Sequence, residues 1–379
     1  MVYITVMQSP MYHQMTLEEF LFNTYDAKSS VINQNAGNTR TYEFERVSNK
    51  FLSRIDVNEL VGHLVRFNES TEELRNVNRQ DLYTTFYIPK KSGGLRRIDA
   101  PKPELMDALR RLKTIFEEKF HALYHTSAFA YIKERSTLKA IQRHQNNESK
   151  WFGKFDLSNF FGSTTIDFVM QQLSMIFPFS EVVKYELGKN ELRTALELAF
   201  LNGGLPQGTP FSPLITNVMM IPIDYRLANK FRDFGRQSFV YTRYADDFIV
   251  SSKYSFDVRM VERAMIDVLT EFNAPFTLNE EKTRYGSSAG RNWNLGIMLN
   301  KDNEMTVGHR AKKQFKNMLH SYALDRKKGV MWDRHDIQVM NGYYNYYRMV
   351  EKDTIDKIVE YINKETDCDV LRDIHEDLK

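Results

Sequence analysis

The sequence predicts an α+β fold, with strands gathered in the middle of the chain and helices on both sides of them. Three observations predict it. Two short runs of β-forming residues flank the pair Asp246-Asp247; a strand, a Gly-rich turn and a second strand begin at Phe86; and apolar stripes at helical spacing recur before and after them. The 379 residues can bury a large core and leave room for two or three domains. Hydrophobic content of 42% and aromatic content of 13% exclude a disordered chain. No apolar run approaches the roughly 20 residues needed to cross a bilayer. Met1 to Gln14 lacks a basic flank followed by an apolar core, so neither a membrane partner nor a secretion signal is expected. The one cysteine, Cys368, excludes an internal disulfide framework and a cysteine-based zinc site, which fits a cytoplasmic setting. The net charge of +3 is too small to identify a nucleic-acid partner by itself.

Residues 1–80 read as a helical N-terminal extension. Thr16-Leu-Glu-Glu19 has capping-box spacing, residues 26–41 form a polar loop, and Phe44, Phe51, Leu52, Ile55, Leu60 and Leu64 follow at helical spacing. From Phe86 the texture becomes strand, turn, strand, with Ser92-Gly93-Gly94 as the turn. Lys90, Lys91, Arg96 and Arg97 crowd onto this hairpin, where solvated edge charge and a phosphate clamp are equally good readings. Leu105, Leu109, Leu112, Ile115 and Phe116 predict an amphipathic helix over 105–120, and a loop with Lys133 and Arg135 follows.

Trp151 to Asp156 alternates as a strand that ends on a carboxylate, a place where metal ligands and plain loop acids both occur. A helix is expected around Ile166 to Phe177. Leu205-Pro-Gln-Gly-Thr-Pro-Phe-Ser-Pro213 is a loop that leads into one long helix, with Leu214, Val218, Ile221, Tyr225 and Leu227 on its buried side. Phe239 to Ser252 reads as two antiparallel strands with Asp246 and Asp247 at or next to the turn. Neighbouring strand residues point to opposite faces, so one acid should face the site and the other support it. Two carboxylates inside an apolar hairpin are costly without a positive partner, and divalent metal is an economical one. With Asp156 they would make a trio able to hold two Mg²⁺ ions about 3.5–4 Å apart. Val258, Val261, Met265, Val268, Leu269 and Phe272 form a core stripe; 278–283 is a polar turn carrying Lys282; 294–300 and 304–307 are short strands. From Gly308 the chain is helical, through Phe315, Met318, Leu319 and Tyr322 and then the run Tyr343 to Arg348. Aromatics interleaved with Lys and Arg suit a nucleic-acid surface, although a helix core is the commoner place for tyrosine.

Each motif is weak alone, but their order is specific. Phe-Asp-Leu157, Leu-Pro-Gln-Gly208 and Tyr-Ala-Asp-Asp247 in succession resemble the bacterial reverse transcriptases of the group II intron, retron, diversity-generating and phage-defence branch. The resemblance covers about residues 85–350. It implies a right-hand polymerase, with fingers over 81–155, palm over 156–300 and a helical thumb over 301–379. It also implies a nucleotidyltransferase that copies RNA into DNA. Asp156, Asp246 and Asp247 match the catalytic acids, which hold two Mg²⁺ ions (with Mn²⁺ as a substitute) together with the Leu157 carbonyl. Phe161 matches the ring that bars a 2′-hydroxyl, and Gln207 and Gly208 the loop against the incoming nucleotide and template. Lys91 and Arg96 match phosphate-binding finger residues, Lys282 a lysine that protonates the pyrophosphate, and Leu295-Gly296-Ile297 the primer grip. The implied partners are an RNA template, a DNA or RNA primer and dNTPs, with room for a dedicated non-coding RNA and an accessory protein.

Departures narrow the branch. Asn294-Leu-Gly296 stands where retrons usually carry Val-Thr-Gly, and Lys139-Ala140 with His144 echoes the retron Asn-Ala-x-x-His only loosely. A stand-alone defence-type or unclassified bacterial enzyme therefore fits first and a retron enzyme second. Two other readings stay open: an untemplated or protein-primed DNA polymerase of abortive-infection type, and an inactive RNA-binding relative.

Overall fold

The computed structural model describes residues 3–6, 13–16, 56–90, 93–120, 124–234, 238–288 and 296–379. The first two segments are strands β1 (Tyr3–Val6) and β2 (His13–Thr16), paired antiparallel. Thr16 thus closes a strand, and the helix expected to start there, the polar loop 26–41 and the stripe from Phe44 to Ile55 lie outside the described residues.

Helix α1 (Val57–Ser70) opens on Asp56, whose carboxylate accepts from the Asn58 amide, and buries Leu60 and Leu64 as their spacing predicts. Strands β3 (Tyr83–Pro89) and β4 (Leu95–Pro101) form the expected hairpin, with Phe86 opposite Ile98. Helix α2 (Pro103–Ile115) buries Leu105, Leu109 and Leu112 and ends in one wider turn through Phe120. Ser136 caps α3 (Thr137–Asn146), and β5 (Trp151–Asp156) follows. Helix α4 (Ile166–Leu173) stops short of the expected Phe177, because the chain turns before Pro178 and starts a new short helix at Phe179.

After α5 (Glu186–Glu197), the expected long helix is two, α6 (Ser212–Met219) and α7 (Ile221–Arg232). Pro222 has no N–H to continue the first ladder, so the axis breaks at Met220. All five predicted apolar positions are nevertheless buried. Strands β6 (Val240–Tyr244) and β7 (Asp247–Ser252) enclose the Ala245-Asp246 turn. Helix α8 (Val258–Glu271) buries the predicted stripe, with Val258 half-buried at its start. A strand absent from the sequence reading, β8 (Arg284–Ser287), pairs with β5. The sheet order is β6-β7-β5-β8, antiparallel throughout. Short strands β9 (Met298–Leu299) and β10 (Met305–Thr306) precede helices α9 (His309–Lys327), α10 (Arg334–Val350), α11 (Lys352–Thr366) and α12 (Val370–Asp377).

Strand alternation divides the sheet into two faces. Phe155, Phe248, Val250 and Tyr241 enter the main core with the helices. Phe152 and Ile249 project from the other face into a smaller cluster with Ile141, Ile297 and Leu299, which Tyr346 and Val350 of α10 border. Helices α9 to α12 close a core of their own around Phe315, Leu319, Tyr322 and Ile355. The fold is α+β, as expected. No helix among the described residues is long and apolar enough to cross a membrane.

Candidate active site

Asp156 closes β5 opposite Asp247, the first residue of β7, so both carboxylates leave the same face at one end of the sheet. Asp246 sits between them and β6 in a two-residue turn. Ala245 there has φ +57, a left-handed conformation uncommon for a residue with a Cβ. The Leu157 amide donates to the Asp246 carbonyl at 3.2 Å and the Ser158 amide to the Thr277 carbonyl at 2.8 Å, which tie the segment after β5 to the turn and to the chain before Lys282.

The three acids have different surroundings. Lys282 Nζ lies 2.6 Å from Asp156 Oδ1, a contact that holds the lysine above its ordinary pKa. Lys154 Nζ lies 3.0 Å from Asp247 Oδ2. Asp246 has no ion pair among the described residues, and its carboxyl is raised by burial, with Asp247 and Asp156 pushing the same way. Asp156 is 8% exposed, and its Oδ2 is buried with no hydrogen-bond partner. Among the described residues no three His, Cys, Asp or Glu side chains already converge on one point as a finished cage. Even so, an orphaned buried carboxylate oxygen beside a desolvated, unpaired acid suits a divalent cation. The donor set is all hard oxygen, which matches Mg²⁺ or Mn²⁺.

The carbonyl of Phe161 accepts from the Leu205 amide at 2.9 Å, which joins its short helix to the Pro-Gln-Gly loop. Gly204 is required there, since a Cβ on it would overlap the Gly162 carbonyl. The Gln207 carbonyl accepts from the Asp99 amide at 2.8 Å and so fixes the loop against β4. Gly208 has φ +116, and a Cβ would come within 2.9 Å of Ile98 Cγ2. Arg96 is exposed on β4, and both its charge and that of Asp246 act on the phenol of Tyr131. Lys91 and Leu295 lie outside the described residues, while Gly296 and Ile297 lead into β9. His144 is a buried residue of α3 that packs against the sheet rather than a site residue. Its ring bridges Ser251 Oγ at 2.6 Å and Thr242 Oγ1 at 2.8 Å, and burial lowers its pKa to about 3.

Several contributors escaped the sequence reading. Behind the turn, Arg243 meets Asp224 of α7 through Nε at 2.8 Å and Nη2 at 2.7 Å, and its Nη1 donates to the Ala245 carbonyl at 3.1 Å. Tyr241 donates to the same Asp224 at 2.6 Å. An acid at a core position of an apolar helix was the available signal for Asp224. Lys154 could have been found by counting back two residues from Asp156 on the same strand face. Tyr131 has φ +56, an exposed ring, and a centroid 6.4 Å from that of Tyr244.

The family model for reverse transcriptase (RNA-dependent DNA polymerase) matches residues 88–318. The chain is 27% identical over 270 residues to the retron Ec73 reverse transcriptase of Escherichia coli, covering 70% of this chain and 82% of that protein. It is 29% identical over 252 residues to the retron Mx65 reverse transcriptase of Myxococcus xanthus, covering 64% of this chain and 56% of that one. These likenesses favour the retron branch, which the sequence departures had put second. Among solved structures, telomerase from Candida albicans in complex with a TWJ fragment of telomeric RNA aligns at 12% identity and TM-score 0.42. That alignment covers 78% of this chain and 59% of the telomerase chain, a likeness too low to support a conclusion. With the family match spanning more than half its length, this chain belongs to the reverse transcriptase (RNA-dependent DNA polymerase) family.

Proposed function

We propose that nucleotidyl transfer takes place at Asp156, Asp246 and Asp247, and that the product is DNA complementary to a bound RNA. The supporting observation is the meeting of a desolvated Asp246 with the buried, unpartnered Oδ2 of Asp156 at the end of the sheet. In this reading 81–155 are the fingers, 156–300 the palm and 301–379 the thumb, with 1–80 an N-terminal extension. Reverse transcriptases work with divalent metal ions. Asp156, Asp246, Asp247 and the Leu157 carbonyl are the groups that would hold two Mg²⁺ ions, with Mn²⁺ as a substitute. Held by these groups, divalent metal would supply Lewis-acid activation of the primer 3′-hydroxyl and would offset charge on the triphosphate.

The remaining residues bind and orient. Lys282 stays protonated beside Asp156 and can give its proton to the departing pyrophosphate. The ring of Phe161 excludes a 2′-hydroxyl. Gly208 lets the loop backbone lie close to the nucleotide while Gln207 holds it against β4. Arg96 and Lys91 meet the phosphates. The partners are an RNA template, a DNA or RNA primer and dNTPs. By the likeness to retron enzymes they also include a dedicated non-coding RNA, in a defence or retroelement setting and the cytoplasm.

Purification from the native host with sequencing of the bound nucleic acids tests this reading. One abundant structured RNA with complementary DNA is the expected result. DNA of simple or random sequence with no matching RNA would favour untemplated synthesis and overturn it.

A further inference from the structure

Lys154 stands two residues before Asp156 on β5, so both side chains leave the same face, which Asp247 shares through its register with Asp156. Its ammonium reaches along the diagonal to Asp247 Oδ2 at 3.0 Å, with side-chain exposures of 27% and 22% for the pair. The other site lysine is differently placed. Lys282 rises from a short 3₁₀ turn, is 59% exposed and can swing away from Asp156. Lys154 is anchored in the middle of the sheet, with β7 on one side and β8 on the other. Its neighbour across β8, Arg284, is turned away and bonds the carbonyls of Glu281 and Thr283. Lys154 is therefore the fixed positive charge on Asp247.

A fixed ammonium beside a carboxylate repels a second cation approaching it, and strongly so where water is partly excluded. A nucleoside triphosphate brings several negative charges to the same place and offsets that repulsion. We propose that Lys154 is a positioning residue that keeps Asp247 from binding divalent metal until the triphosphate arrives, and so sets the divalent-cation requirement of the enzyme. This rests on the reading of Asp247 as a metal ligand.

The test is Mn²⁺ binding to the full-length protein, followed by electron paramagnetic resonance without nucleotide. Wild type, Lys154→Met, Lys154→Gln, Lys154→Arg and Asp247→Asn would be compared. Met and Gln, which leave the sheet intact and remove the charge, should bind Mn²⁺ roughly three- to ten-fold more tightly. Arg should match wild type, and a non-hydrolysable dNTP analogue should narrow the difference. The proposal fails if Lys154→Met and Lys154→Gln bind no more tightly than wild type while Asp247→Asn binds more weakly. A gap that persists unchanged with the nucleotide analogue would also overturn it. If Asp247→Asn binds like wild type, the ligand reading itself is wrong, and the role of Lys154 falls with it.

Discussion

Arg243 and Asp224 form a fully buried ion pair, Nη2 to Oδ2 at 2.7 Å, directly behind the turn that carries Asp246. Because the guanidinium also holds the Ala245 carbonyl, the pair fixes the strained turn to helix α7. Removing one partner strands the other charge in the core, which costs about 3–5 kcal/mol. Asp224→Asn and Arg243→Met should lower the unfolding free energy read from urea titration by that amount, with a matching fall in midpoint, and remove synthesis. Arg243→Lys keeps the charge but loses the two-pronged contact, and should fall between these variants and wild type. Unchanged midpoints would show that the pair does not support the turn.

Asp246 should make the metal-free protein less stable at neutral pH. Burial raises its carboxyl, so the unfolded chain releases that proton at a lower pH than the fold does. Stability from this group therefore falls as pH rises from the ordinary carboxylate value through the raised one, and stays reduced above it. With chelator present, Asp246→Asn should be more stable than wild type at pH 7, and the difference should vanish below the ordinary carboxylate range. Equal unfolding free energies at both pH values would contradict this account.

Gly208→Ala puts a methyl where φ is +116 and where Ile98 and the Asp99 carbonyl crowd it. Strain of about 1–3 kcal/mol should displace the loop from β4. Steady-state kinetics should show a higher KM for dNTP. A KM equal to wild type would mean that the loop does not meet the nucleotide.

Phe161→Ala should admit ribonucleotides. Loss of a steric contact of this kind relaxes discrimination by about 10–200-fold. Incorporation of competing rNTP and dNTP measures it directly, and unchanged sugar selectivity would remove the gate.

Much of this site was legible because its residues carry local signals. Asp156 ends a run of alternating apolar residues, and Asp246-Asp247 interrupts two others, so strand, turn and acid could be read together. Lys282 followed from the order of motifs. The Arg243–Asp224 pair was not legible, since its partners lie 19 residues apart on different elements and meet only when α7 packs under the sheet. Strand β8 was missed because its four residues include Arg284 and Gly286 and its pairing comes from β5. The break at Met220 was readable from Pro222, but the continuous apolar stripe across it suggested one helix.

Templated DNA synthesis at the three carboxylates is tested most directly by primer extension on two RNA templates of different defined sequence, with wild type and Asp246→Asn. Wild type should return DNA complementary to each template. Asp246→Asn should lose about a thousand-fold in rate or more, as several kcal/mol of lost charge stabilisation implies, while still binding the RNA. Products that ignore the template, or an Asp246→Asn enzyme that still extends the primer, would contradict the account.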